Sequence, residues 1–194
     1  MANLDAAYLR YSGVKGALAG AVLAVLLAGC GGGNLVNTGP FGNGGPPTGL
    51  CSPAENPDRV YTAGGIAAFT NAGPAAVIDK VSLGHPHRLR LLAAYAVLIT
   101  GHEAYGNWNG FPSPRQVSAG VRWSQRQHAD GARIPPTPRG HDVVDLVLVV
   151  KLVGKTGTAD GVDVYYHTSG GHYHLHINNT LGLTTARTIR KCPL

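Results

Sequence analysis

Residues 162–177 read VDVYYHTSGGHYHLHI, two alternating runs joined by a Ser-Gly-Gly turn. If Ser169 and Gly170 turn the chain, His167 faces His172, Tyr166 faces Tyr173, Tyr165 faces His174, Val164 faces Leu175 and Asp163 faces His176. Val162, Val164, Tyr166, Tyr173, Leu175 and Ile177 then share one face, and that face must be core. A slip of one residue would bring the histidine parity inward, so the apolar pattern determines the register. The rest of the chain has to supply whatever covers this hairpin.

Upstream, the signals are also strand-like. Residues 76–83 (AVIDKVSL) are rich in β-branched side chains and end in a Gly-His-Pro-His turn. In 89–99, Leu89, Leu91, Ala93, Tyr95, Val97 and Ile99 have one parity and are expected to share one face. A helix could hold the same run, since Leu and Ala favour it, but its position between turn signals points to a strand. Residues 142–152 (DVVDLVLVVKL) place Val144, Leu146, Leu148, Val150 and Leu152 on one side and a mixed set on the other. Residues 117–123 read as a short strand, 131–140 as a proline-rich loop, and 154–161 as a turn. Short strands between turn clusters, with no sustained helical period, predict a mostly β protein: an antiparallel β-sandwich, immunoglobulin-like, with long loops.

The outward face of the hairpin carries Asp163, Tyr165, His167, His172, His174 and His176. Opposed side chains lie about 4.5 to 5.5 Å apart at Cβ, so several imidazoles can converge on one ion. Neutral imidazole suits Cu(II), Zn(II) and Ni(II), and Asp163 can lend an oxygen. The expected metal ligands are therefore His167, His172, His174, His176 and Asp163, with Cu or Zn as the ion; the alternative is a solvated strand face. His85 and His87 flank a proline in a turn and are left out of the site.

The first 29 residues address the chain. Arg10 and Lys15 precede an apolar run, GALAGAVLAVLLA, shorter than the roughly 20 residues of a membrane-spanning helix, so it reads as a signal peptide. The run ends in Leu27-Ala28-Gly29-Cys30, which resembles the bacterial lipobox. That resemblance implies cleavage before Cys30, lipidation of its thiol and attachment to a membrane the chain does not span. Gly31 follows instead of the aspartate of an inner-membrane retention signal. Residues 30–50, rich in Gly, Pro and Asn, read as lipidated cysteine plus flexible tether, which leaves 51–194 as the extracytoplasmic domain. Outside the membrane Cys51 and Cys192 can form a disulfide joining the domain's ends; two buried thiols are the alternative. The Ala/Gly/Pro/Arg-rich composition, the box and the closing hairpin together resemble small β-rich lipoproteins of high-GC Gram-positive bacteria, a likeness that implies no activity.

Catalytic motifs are incomplete. Lys155-Thr156-Gly157 matches the KTG of penicillin-binding proteins, but the only Ser-x-x-Lys is Ser12 to Lys15, within the leader, and no Ser-x-Asn exists. A phosphate-binding loop ending at Gly154-Lys155-Thr156 lacks its first glycine, because position 149 is Val. No Gly-x-Ser-x-Gly is present, and Glu55 and Glu103 are the only glutamates. The net charge of +6 at pH 7 is scattered, without a nucleic-acid-binding motif, and supports at most attraction to an anionic wall or membrane. Tyr105, Trp108 and Phe111, interleaved with Asn107 and Asn109, could form a glycan-binding surface or fold back as hydrophobic cover. Three readings follow: a metal binder, a cell-wall or glycan-binding module, and a structural lipoprotein that meets a wall or surface-protein partner without a small ligand.

Overall fold

The computed structural model describes residues 39–43, 47–99, 106–111, 123–137 and 143–185. Their regular structure is strand, apart from one three-residue 3-10 turn at Trp123–Gln125, and no described helix is long and apolar enough to cross a membrane. The largest sheet is built on β10 (Val143–Leu152). Along one edge it pairs with β6 (Leu89–Ile99); along the other it pairs with β4 (Ala68–Asn71) near its start and β3 (Val60–Ala63) near its end. Outer strands β1 (Phe41–Asn43), β7 (Trp108–Asn109) and β8 (Gln127–His128) extend this sheet beyond β4, β3 and β6.

The second sheet runs in the order β13 (Gly171–Ile177), β12 (Val162–Thr168), β5 (Ala76–Leu83) and β9 (Arg133–Ile134). A third, small sheet orders β11 (Thr156–Ala159), β14 (Thr180–Thr184) and β2 (Gly49–Pro53). Every pairing is antiparallel except β14 with β2, which run parallel. One core cluster draws side chains from all three sheets, among them Phe69, Leu146, Leu148 and Leu152 from the first, Ile78, Val164, Tyr166 and Leu175 from the second, and Leu181 and Leu183 from the third. The fold is the mostly antiparallel β-sandwich that alternation predicts, with the small sheet added.

The hairpin register is the expected one throughout: Asp163 faces His176, Val164 Leu175, Tyr165 His174, Tyr166 Tyr173 and His167 His172. Val162, Val164, Tyr166, Leu175 and Ile177 are buried, with Tyr173 packed against them. Gly171, at φ 145°, takes a conformation only glycine adopts readily as β13 leaves the turn.

Four features depart from the sequence reading. In β6 the pairing with β10 skips Leu92, a β-bulge. The extra residue inverts the alternation, so Leu89, Leu91, Ala94 and Ala96 join the main core while Tyr95, Val97 and Ile99 face the other way, with Trp123, Val147 and Trp108. Second, the mixed face of β10 is buried as well: Val147 packs into this covering layer, and Asp145, Val147 and Val149 are all inaccessible. Third, the expected turn at 154–161 contains β11, which pairs Thr156 to Ala159 with β14; Thr156 and Gly157 of the Lys-Thr-Gly segment are thus ladder rather than loop.

Fourth, the described part of the expected tether, residues 39–43 and 47–50, enters the fold. Phe41 is 1% exposed and lies in a file of stacked rings running Phe69, Phe41, Tyr166 and Tyr173, with successive centroids 4.5, 3.8 and 5.4 Å apart. The Phe41 N–H donates to Tyr166 Oη at 3.2 Å, which satisfies a buried phenol. Glycine and proline density around Phe41 masked one large anchor, and the ordered domain begins before residue 51.

Candidate metal site

The outward face of the hairpin does carry the histidines, but it divides them between two aspartates. At one end, His167 Nδ1 lies 2.6 Å from Asp79 Oδ1 and His172 Nδ1 3.6 Å from Asp79 Oδ2. The two imidazole centroids are 5.4 Å apart. One potential ligand atom from each of Asp79, His167 and His172 falls within 4.8 Å of the other two. At the other end, Asp163 Oδ1 accepts hydrogen bonds from His174 Nε2 and His176 Nδ1, each at 2.9 Å, and the Tyr165 ring stacks on His174 with centroids 4.5 Å apart.

Asp79 reaches the first group because of a second bulge. Tyr165 pairs with Lys80 and Tyr166 with Ile78, so Asp79 has no partner in the ladder. An unpaired extra residue bends the strand and re-aims its side chain, and here Asp79 and Lys80 both turn outward between buried Ile78 and Val81. Asp79, His167 and His172 thereby come from β5, β12 and β13, three neighbours in one sheet. The signal was present in AVIDKVSL, where two consecutive charged residues interrupt a strand that should alternate.

The two clusters differ in accessibility and chemistry. The His172 side chain is 84% exposed and those of His167 and Asp79 are near 40%, whereas His174 and Asp163 are below 20%. Burial works to raise the Asp163 carboxyl, but hydrogen bonds and charge from His176 and His174 together hold it below the ordinary value. Asp163 already spends its oxygen on two donors, and His174 is locked between that oxygen and the Tyr165 ring. His174 Nδ1, moreover, is buried without a hydrogen-bond partner among the described residues. The five-residue set expected from sequence is therefore not one site: parity placed the residues on a common face but could not say that Asp163 would fasten two of them.

No protein-family model matches this chain, and a search of curated proteins finds no similar sequence.

The other expected sites are placed as follows. His87 bridges to Thr158 and His85 lies 3.9 Å from Asp160, so neither joins the hairpin cluster. Trp108 is half-buried in β7 and packs against the layer of Val97, Ile99, Trp123 and Val147, as cover does. Phe111 is 49% exposed and leans on Tyr95 and Trp123 at 5.9 and 5.8 Å, while Tyr105 lies outside the described residues. Cys51 sits half-buried in β2 beside β14; Cys30 and Cys192 lie outside the described residues.

Proposed function

We propose that the chain is an extracytoplasmic, lipid-anchored protein that binds a transition-metal ion, Cu(II) or Zn(II), through Asp79, His167 and His172. The observation that carries this reading is the convergence of two imidazoles and a carboxylate, from three adjacent strands, within 4.8 Å. Zinc holds such ligands tetrahedrally at about 2.0 to 2.2 Å, which sets the ligand atoms about 3.3 to 3.6 Å apart. Closing a set that lies within 4.8 Å takes an inward swing on the order of 1 Å by His172, whose side chain is 84% exposed. Coordination through His167 Nδ1 would replace its hydrogen bond to Asp79, since each ligating imidazole must offer a lone pair to the ion.

Calorimetry of wild-type protein without an affinity tag of histidines tests the assignment. Because even supporting residues around a metal are worth about 10- to 100-fold in affinity, Asp79→Ala or His172→Ala is expected to weaken uptake of Cu(II) or Zn(II) by at least about tenfold. His176→Gln, which belongs to the Asp163 cluster, is expected to leave uptake within about twofold of wild type. Equal losses from all three substitutions would restore the single larger site, and no uptake by the wild type would remove the metal reading.

The anchor belongs to the same proposal and rests on the leader and Leu27-Ala28-Gly29-Cys30, as the Cys51 to Cys192 bridge rests on compartment and position. Cys30→Ser is expected to abolish incorporation of a labelled fatty acid, since the thiol is the acylated group. Equal label on wild type and variant would refute lipidation at Cys30.

A further inference from the structure

Beside His167 the same sheet face hollows into a cavity of about 310 Å³ lined by Ala75, Ala76, Val77, Arg133, His167, Thr168 and Ser169. Its floor and walls follow from register. Arg133 pairs with Val77, and Val77 pairs with His167, which pairs with His172. Directly paired residues present the same face, so one row across four strands reads Arg133, Val77, His167, His172. Ile134, next to Arg133, is buried on the opposite face. Strands are about 4.8 Å apart, which puts Arg133 roughly two spacings from His167, with the small side chain of Val77 leaving the gap open between them.

The chemistry of the two walls is complementary to one kind of ligand. Three protein ligands leave at least one coordination position of a tetrahedral ion open. Asp79 brings a single negative charge to a divalent cation, so the complex stays positive. Arg133 makes no ion pair with a described residue, and its planar guanidinium suits a carboxylate or phosphate. Thr168 and Ser169 also line the hollow, and the Thr168 hydroxyl, which accepts from the Gly170 N–H, keeps its own proton to donate.

We propose that this hollow is an oxyanion subsite: the ion at Asp79, His167 and His172 is held as a ternary complex with a small carboxylate or phosphate that fills its open position and is fastened at its far side by Arg133. The proposal rests on the metal reading above, and it turns that reading from capture of a bare ion into recognition of an ion with its anionic chelator.

Protein loaded with Cu(II) is titrated with malonate in one series and inorganic phosphate in another, following the Cu(II) absorption band and the heat of binding. Saturable binding to the loaded protein by one of the anions, with little or none to the metal-free protein, is the expected result, and the anion that binds more tightly identifies the chemistry. A charge-assisted hydrogen bond contributes enough that Arg133→Gln should weaken anion binding by about tenfold or more, while Cu(II) affinity stays within about twofold. If Cu(II) loads but neither anion binds saturably, or Arg133→Gln binds it equally well, the subsite is refuted and the metal site stands. If Cu(II) does not load at all, both fall together.

Discussion

Asp145→Asn is expected to abolish a fall in stability that the wild-type protein shows between about pH 4 and about pH 8. Asp145 is fully buried on β10, with Val97 and Ala68 as its ladder partners. The Gly65 N–H donates to Oδ2 at 2.8 Å, but Oδ1 has no hydrogen-bond partner among the described residues. Burial pushes its carboxyl from 3.8 up to about 7 against the lowering effect of that one bond. The folded state thus holds the proton more tightly than the unfolded chain, so stability is greatest while both are protonated. It declines as pH rises through the intervening range, and the full penalty, on the order of 4 kcal/mol, applies above about pH 7. Asp163 has the opposite sign: its lowered carboxyl adds stability that is lost only as pH falls below the ordinary carboxylate range, outside this window. Asparagine keeps an oxygen for Gly65 and carries no charge, so its cost for an unmatched amide does not change with pH. Denaturant melts of both proteins across the range provide the measurement. An unchanged pH slope in the variant would show that Asp145 is not the group responsible.

Phe41→Ala is expected to cost about 3 to 5 kcal/mol, the range for emptying a buried aromatic site, and a chain beginning at Cys51 is expected not to fold cooperatively. Phe41 is sandwiched between Phe69 of the large sheet and Tyr166 of the hairpin sheet, so removing its ring opens a hole between two layers and strips both neighbours of contact. The truncated chain loses β1 entirely and the first two residues of β2. Since typical domains have only about 5 to 15 kcal/mol in hand, the loss is a large fraction of the total. Urea unfolding read by circular dichroism gives the difference directly, and a Phe41→Ala protein within about 1 kcal/mol of wild type would refute the role assigned to the ring.

Legibility in the sequence tracked how many independent constraints acted on each residue. The hairpin was readable to the single residue because turn chemistry and apolar parity agree there. The apolar stripe of β10 was readable because five large side chains repeat at one period. Both bulges escaped, since one extra residue changes no composition and announces itself only as a stumble in alternation, Leu91-Leu92 in β6 and Asp79-Lys80 in β5. The second of these decided the site. Asp79 is 88 residues from His167 in sequence, and nothing local to either one says they meet. Phe41 escaped for a different reason: the conformational freedom of its glycine-rich neighbours outweighed a single aromatic in any windowed reading, whereas in the fold one ring in the right gap joins two sheets.

The parallel pairing of β2 with β14 has a consequence for the order of events during biogenesis. These strands are joined at one end by the Thr48 N–H donating to Asn179 Oδ1 at 2.6 Å across 131 residues of sequence, and no neighbouring segment can substitute for the late strand. Contacts of such long sequence separation slow folding, because the intervening loop must be ordered before the contact rewards it. A polypeptide emerging amino-terminus first has to wait for β10 before β3, β4 and β6 are joined in one sheet and for β12 before β5 meets the hairpin, and its small sheet waits longer still, until residues 180–184 have appeared. Until that moment β2 lacks the strand it pairs with, and afterwards the first and last strands of the small sheet hold each other closed.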